Sequence, residues 1–264
     1  MIAAITAGLI GMLLGGPVNN LGLAAAFSGC IFLAVYIAHL KDTYFDYHIS
    51  GEDKINPYMG RFDGSGKLLS KNDFVMGMIV SSILLLGLSF YVASLTSYAF
   101  LIFVIIGWTL AIVYAPLLYN YLGAALSYPA GVAMAMLAGY FIQTGAIGIT
   151  PLLFAIPLMV MMAGAKIVED VIDFKTDKKL GKITTPVLIG LRRAKALGYE
   201  VFYLGLISLL FLSLIGGIKF GNVYGILAGS VVGGYSYKFK PETGVYILVV
   251  GIYIVMLTMF FLSL

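Results

Sequence analysis

The chain has 264 residues, of which 61% are hydrophobic and 11% are charged, and its mean hydropathy is +1.02. Soluble domains carry roughly 25% charged residues, so this composition excludes a soluble globular protein and predicts an integral membrane protein. The formal net charge of +4 is expected to set topology and attract anionic headgroups, and it does not indicate a nucleic-acid partner. The single cysteine excludes a disulfide or a cysteine metal site within one chain.

Nine apolar segments follow one another along the chain. A helix needs about 20 residues to cross a hydrocarbon core about 30 Å thick. The first segment is short and begins at residue 1, so we expect a few native residues before it. The eighth is rich in glycine, which leaves eight crossings as an alternative. The segments are approximately residues 2–16, 21–40, 74–94, 97–117, 121–142, 147–167, 194–216, 222–237 and 243–264.

Lysine and arginine are distributed unevenly among the loops between these segments. With nine spans, the loops after even-numbered helices, with their helix ends, hold fifteen of the sixteen basic residues, and Lys219 falls on the other face. Basic residues collect in cytoplasmic loops. The distribution therefore predicts a multi-pass protein of the cell membrane with its charged face towards the cytoplasm.

Acidic residues concentrate in residues 41–73 and 169–177, which together hold ten of the twelve. Each stretch directly follows an apolar segment, the second and the sixth. We therefore predict one transmembrane domain over residues 1–264 with two Asp-rich loops, the first at 41–73 and the second at 168–193.

The spacing of the aspartates groups them on helix faces. Asp42 and Asp46 are four residues apart, as are Asp173 and Asp177, and Asp170 precedes Asp173 by three. Residues three or four apart share a helix face, so each set presents like charges in one direction. Mg²⁺ prefers carboxylate oxygens and completes its shell with water and substrate phosphates. The pattern therefore predicts a diphosphate bridged by Mg²⁺, and an ordinary solvated loop that enforces topology is the alternative.

Position along the chain favours the functional interpretation. Lys166, Glu169 and Asp170 lie at the end of the sixth apolar segment. Ionisable groups are costly there and usually have a function. A protein that needs only a cytoplasmic anchor does not need acidic residues at this depth.

Two stretches resemble the Asp-rich motifs of the UbiA superfamily of intramembrane prenyltransferases. DTYFDYHISGED at residues 42–53 resembles the first motif, and DFKTDKKLGKITTPVLIG at residues 173–190 resembles the second. RFDGSGKL at 61–68 is similar to a loop of the menaquinone-type branch, and YAPLLYNYLG at 114–123 is similar to a weaker element that begins Tyr-x-x-Pro. The motifs occur in the family's order, so the resemblance covers essentially the whole chain.

The resemblance implies an all-α integral membrane fold of about nine transmembrane helices around a central cavity, with the two acidic cytoplasmic loops forming a cap. Two Mg²⁺ ions would be held against the diphosphate. Asp42 stands where the family has asparagine and could bind metal directly, and Asp170 matches an aspartate of the archaeal ether-lipid branches. The expected metal ligands are Asp42, Asp46, Asp53, Asp170, Asp173 and Asp177, of which Asp42, Asp46, Asp173 and Asp177 are the expected catalytic residues.

The implied reaction transfers a polyprenyl group from an isoprenoid diphosphate, such as geranylgeranyl diphosphate, to a naphthoate or quinone-type aromatic acceptor through an allylic carbocation. Fixed charges stabilise a leaving diphosphate. The alternative acceptor is geranylgeranylglyceryl phosphate, a lipid precursor in archaeal ether-lipid synthesis. The expected diphosphate-binding residues are Lys166, Arg61, Lys41 and Tyr114.

Other interpretations stay open. His39 and His48 flank the first motif, and either could move a proton from the acceptor, although a histidine there is more often a hydrogen-bonded residue at a helix end. A secondary transporter is a second class, but the helix centres carry almost no ionisable group to couple an ion. A noncatalytic lipid-binding scaffold is a third class, and it needs no acidic pairs.

Overall fold

The structure is a computed structural model that describes residues 2–49, 70–117, 121–215 and 222–263. Within these ranges the chain forms ten helices and no strand. The helices are α1 (Ile2–Leu14), α2 (Leu21–His48), α3 (Lys71–Leu95), α4 (Phe100–Leu117), α5 (Tyr121–Thr144), α6 (Ile149–Leu180), α7 (Thr185–Ile189), α8 (Leu191–Leu214), α9 (Asn222–Ser236) and α10 (Pro241–Ser263).

Each predicted apolar segment lies on one of these helices, and the short α7 is additional. Helices α2, α3, α6 and α8, and Pro241–Thr258 of α10, are long and apolar enough to cross a membrane. Helix α1, Phe100–Val113 of α4 and Val223–Ser236 of α9 are shorter apolar helices. The chain is therefore an all-helical integral membrane protein, and the number of its crossings stays a prediction.

Glycines allow two pairs of helices to pack with their backbones in close contact. At the α6–α8 crossing, a methyl group on Gly164 would lie 2.5 Å from the carbonyl oxygen of Gly198. At the α1–α5 crossing, a methyl group on Gly139 would overlap the carbonyl oxygen of Gly8. Small residues stabilise membrane helices in this way because lipid offers no hydrophobic force between them. Helix α6 is thus fixed against α8 along its apolar half.

Helices α1 to α6 and α10 surround a cavity of about 770 Å³. Most of its wall is apolar and includes the rings of Phe27, Phe100 and Phe103. The charged lining residues come from the C-terminal turns of α2 and α6 and from the segment after α6. The cavity therefore has an apolar body and a charged mouth, which we define as the end lined by these turns.

The described parts of the two acidic stretches are mainly helical. Residues 41–48 continue α2 and residues 168–180 continue α6, and α7 and α8 contain most of the remainder of 168–193. The prediction of loops is wrong for residues 41–48 and 168–180, because neither range contains glycine or proline, so the helical hydrogen bonds continue. Residues 50–69 of the first predicted loop lie outside the described residues, and their part in a cap stays a prediction.

Helix α6 is longer than a membrane crossing requires. Its 32 residues span about 48 Å at 1.5 Å per residue, against a hydrocarbon core about 30 Å thick. The polar residues after position 167 therefore extend beyond the predicted membrane-spanning segment. They carry the acidic residues that line the charged mouth.

Candidate active site

Both acidic helix ends face the charged mouth. Asp42 and Asp46 come from the last two turns of α2, and Asp170, Asp173 and Asp177 come from the last turns of α6. All five line the cavity. Their spacings of three and four place each set on one face of its helix. The structure thus brings together the five aspartates that the sequence predicts within the described residues.

Lys182 joins the two acidic helix ends. Its Nζ lies 2.8 Å from Oδ1 of Asp46 on α2 and 3.9 Å from Oδ1 of Asp177 on α6. Lys182 is only 6% exposed, so these charges interact with little screening by water. The sequence interpretation assigned Lys182 only to topology, and its position between two aspartates was not predicted.

The turn after α6 brings Lys182 into this position. Gly181 ends the helix in the left-handed region, with φ of 71°, a conformation that glycine adopts without steric cost. The backbone N–H of Lys182 donates to the carbonyl oxygen of Asp177 at 3.0 Å. The hydroxyl of Thr184 donates to Oδ2 of Asp177 at 3.1 Å. A glycine followed by lysine and threonine directly after an acidic helix is the sequence signal that could have identified both residues.

Lys166 holds the other acidic pair within α6. Its Nζ lies 3.0 Å from Oε2 of Glu169 and 3.0 Å from Oδ1 of Asp170. Asp170 is 3% exposed, and its Oδ2 has no hydrogen-bond partner among the described residues. Lys166 therefore neutralises part of the negative charge of buried Asp170 and exposed Glu169, about two turns before Asp177.

Two α6 carboxylates, those of Asp170 and Asp177, lie beyond the predicted membrane-spanning segment, and burial changes their protonation. Burial raises the pKa of Asp177 to about 6, against the opposing effects of the Lys182 charge and the Thr184 hydrogen bond. Burial also raises the pKa of Asp170, and the nearby Lys166 opposes this shift. Desolvation disfavours a carboxylate, so each group binds its proton more firmly than it does in water. A cation that binds here must displace any proton that these groups hold, but its attraction to the ionised carboxylates is then screened by water less than at an exposed site.

Several predicted site residues are not brought to the mouth by the described part of the chain. Lys41 does not line the cavity, and its Nζ lies 5.7 Å from the centroid of the Tyr44 ring. The imidazole of His48 packs on the ring of Phe74, with centroids 5.6 Å apart, whereas His39 lines the cavity. Arg61, Asp53 and the side chain of Tyr114 lie outside the described residues.

The donor atoms at the mouth fit Mg²⁺ in type. Among the described residues, no three His, Cys, Asp or Glu side chains cluster closely enough to hold one ion by themselves. Mg²⁺ does not require such a cage, because it usually uses one or two carboxylates together with water and substrate phosphates. The paired aspartates of α2 and α6 supply carboxylates of this kind.

The body of the cavity is suited to an apolar chain. Phe27 and Phe100 pack edge to face, with ring centroids 6.0 Å apart, and both are buried. Phe103 and Val104 continue the wall along α4. A volume of about 770 Å³ is within the range of ligand pockets, about 300–1,000 Å³. The site therefore combines a charged mouth with an apolar chamber.

Comparison with known proteins gives a family and two similar structures. The sequence model of the UbiA prenyltransferase family matches residues 1–245. No curated protein matches at a significant level, whereas three chains of solved structures do. A UbiA homologue from Aeropyrum pernix K1 has a TM-score of 0.80 and 14% identity, covering 100% of this chain and 98% of the other. A digeranylgeranylglyceryl phosphate synthase has a TM-score of 0.72 and 20% identity, covering 99% and 93%. At these identities, the similar structures show the fold.

Proposed function

Because the chain belongs to the UbiA prenyltransferase family, we propose that it binds an isoprenoid diphosphate and transfers the polyprenyl group to an acceptor inside the membrane. The observation that carries the proposal is the convergence of two acidic helix ends at the mouth of an apolar cavity. The diphosphate would bind at the mouth, and the isoprenoid chain would lie in the apolar body. A solvated loop that serves only topology does not require such a chamber.

Carboxylates and a lysine at the mouth would position the diphosphate of the donor. Asp46, Asp173 and Asp177, with Asp42, would hold Mg²⁺. When it is bound, the ion supplies Lewis-acid neutralisation of the negative charge on the departing diphosphate. Lys166 adds a fixed positive charge on the same side, which stabilises the charge that develops on the leaving group.

The cavity walls govern the rest of the reaction. The carbon–oxygen bond of the donor breaks with its electron pair on the diphosphate, and an allylic cation remains. The apolar wall keeps water away from this cation, and the rings of Phe27, Phe100 and Phe103 can stabilise its charge. The acceptor's nucleophilic atom then forms the new bond to the allylic carbon and releases a proton. His39 lines the cavity, and it is our candidate to accept that proton.

Two acceptors are to be tested. The sequence interpretation favours a naphthoate or quinone-type aromatic acceptor, which would connect the protein to menaquinone-type biosynthesis. Geranylgeranylglyceryl phosphate is the second candidate, and the structural similarity to a digeranylgeranylglyceryl phosphate synthase over 99% of the chain favours it. The buried Asp170 also matches the aspartate of the archaeal ether-lipid branches.

We also propose nine crossings with the charged mouth on the cytoplasmic side. The concentration of basic residues beside the even-numbered predicted spans supports this orientation. A cysteine introduced at exposed Lys178 should react with a membrane-impermeant reagent only when the cytoplasmic face is accessible. Labelling of intact cells would contradict the orientation.

The reaction itself is tested with purified protein, radiolabelled geranylgeranyl diphosphate and both acceptors, with Mg²⁺ and with EDTA. We expect one acceptor to give a prenylated product that requires Mg²⁺. Glu242→Gln is the matched control, because Glu242 is exposed in the first turn of α10 and does not line the cavity. If the protein forms no product and does not bind the donor, the proposal is contradicted, and a secondary transporter becomes the leading alternative.

A further inference from the structure

The ammonium group of Lys182 lies between two of the carboxylates that would hold the metal. Asp46 comes from α2 and Asp177 from α6, and the Lys182 side chain contacts both carboxylates. The Nζ–Oδ1 distance of 2.8 Å to Asp46 is that of a strong charge-assisted hydrogen bond. Two aspartates that would repel each other are thus held together by a positive charge from the chain itself.

The position of this charge is determined by the backbone. The left-handed turn at Gly181 and the hydrogen bond from the Lys182 N–H to Asp177 place the base of the side chain beside α6. Lysine carries its charge on a four-carbon stem with several rotatable bonds, and its ammonium is a compact charge that can change partners. Lys182 also lines the cavity, so its ammonium has access to a ligand at the mouth.

We propose that Lys182 is an internal competitor of the metal: its ammonium occupies the Asp46–Asp177 pair in the metal-free protein and is displaced when a divalent cation binds. This inference rests on the proposed function for the identity of the metal-holding aspartates. After displacement, the ammonium is free to pair with the diphosphate. Metal binding and donor binding are then favoured together, because each compensates for the ion pair that the other disrupts.

Competition between Lys182 and the metal predicts whether removal of Lys182 strengthens or weakens metal binding. Removal of one partner of a buried ion pair destabilises a protein, because the remaining charge loses its counterion. A lysine that serves only as a structural contact would show this loss and nothing more. A lysine that competes with the metal would, when removed, also make the metal bind more tightly. The two roles therefore differ in metal affinity.

The test is the binding of Mn²⁺ to the full-length protein in detergent, with free Mn²⁺ measured by electron paramagnetic resonance. We expect Lys182→Met to lower the Kd for Mn²⁺ about tenfold, which corresponds to about 1.4 kcal/mol. Lys178→Met is the control. It removes the same charge from the last turn of α6, but Lys178 is exposed and packs on Phe174. We expect the control to change the Kd by less than about twofold.

Thermal unfolding provides a second readout. The melting temperature of metal-free Lys182→Met should fall below that of the wild type, and saturating Mg²⁺ should close most of this difference, because the metal replaces the missing charge. Lys182→Arg keeps a charge at the site, and we expect its Mn²⁺ affinity to stay within about threefold of the wild-type value. If Lys182→Met does not fold, Lys182→Gln provides the test, because it removes the charge, keeps a hydrogen-bond donor for Asp46, and should likewise lower the Kd for Mn²⁺.

The outcomes separate this inference from the proposed function. A lower melting temperature with an unchanged or higher Kd would overturn the competition, while magnesium-dependent turnover of the wild type would leave the proposed function intact. If neither the wild type nor Lys182→Met binds Mn²⁺, both proposals fail. The inference would be supported if Lys182→Met binds Mn²⁺ more tightly than the wild type and Lys178→Met does not.

Discussion

The two acidic helix ends are organised differently. Helix α6 ends at Gly181, where the chain reverses and brings Lys182 and Thr184 back to Asp177. Helix α2 ends at a residue in the right-handed region, Ile49, with φ of −109°. Asp46 forms its ion pair with Lys182, which is 136 positions away. Among the described residues, local structure after α6 holds Asp177, whereas Asp46 at the α2 end is held by a tertiary contact with Lys182.

This difference predicts that the α6 end affects the α2 end more than the α2 end affects the α6 end. Changes at the α6 end should disturb the carboxylates of both helices, because the turn after α6 supplies the cation for Asp46. Changes that leave this turn intact should have smaller effects. The following predictions test this asymmetry, beginning with the largest effect.

Replacement of Asp177 should cause the largest loss. Asp177→Asn removes the charge that faces Lys182 and the proposed metal, and it weakens the contact with Thr184. We expect turnover of geranylgeranyl diphosphate to fall by at least about a hundredfold, similar to the loss of one preorganised group in other enzymes. Glu242→Gln should retain full activity in the same assay. Near wild-type turnover of Asp177→Asn would remove Asp177 from the site.

Acidification should weaken metal binding at the same end. Burial raises the pKa of Asp177 to about 6, so at lower pH the metal must displace a proton from this carboxyl group. The Kd for Mn²⁺ should be nearly constant above about pH 7 and should rise by up to about tenfold per pH unit below pH 6. Titrations from pH 5 to pH 8 measure this effect. The same series with Asp177→Asn should be flatter, and an equally steep dependence would assign the proton to another group.

A smaller effect is expected from the turn itself. Gly181→Ala forces a residue with a side chain into the left-handed region, at a cost of about 1–2 kcal/mol. The melting temperature should fall and turnover should decrease several-fold, because both Lys182 and Thr184 are displaced. Gly87→Ala is the control, because Gly87 lies inside α3 with open space around it. A stability equal to that of the control would show that the turn adapts without strain.

The smallest effect is expected at Thr184. Thr184→Val keeps the shape of the side chain and removes the hydrogen bond to Oδ2 of Asp177, a loss of about 1 kcal/mol. We expect turnover to fall by no more than about fivefold, while Thr184→Ser should preserve it. A drop as large as that of Asp177→Asn would instead indicate direct contact of the hydroxyl with substrate.

The sequence was sufficient to predict the helical regions and the five described aspartates at the mouth. Apolar stretches of about 20 residues are a strong signal, and the three- and four-residue spacing of Asp42, Asp46, Asp170, Asp173 and Asp177 depends only on helix geometry. The loop prediction was wrong over residues 168–180, because high charge does not interrupt a helix that lacks glycine and proline. The absence of those two residue types is the sequence signal for a helix that continues through the charged residues.

The role of Lys182 could not be predicted in the same way. Its position depends on the left-handed turn at Gly181 and on the approach of α2 to α6. The count of basic residues per loop places Lys182 only among the lysines that indicate the cytoplasmic face. Lys41, a predicted diphosphate-binding residue, lies beside the ring of Tyr44 and does not line the cavity, and its contact with a diphosphate stays a prediction. Proximity in sequence to an acidic motif did not separate these two lysines, because tertiary packing decides which side chains reach the cavity.

The ion pair between Lys182 and Asp46 also has a consequence for biogenesis. The 136 positions between the two residues take roughly 7 to 27 s to synthesise at 5–20 residues per second. Throughout that interval, Asp46 is in the nascent chain without this lysine. The contact can form only after most of the helices have been made, so the charged mouth is completed late. A ribosome-stalled chain that ends before Lys182 would contain the α2 carboxylates and lack the cation that joins them to α6.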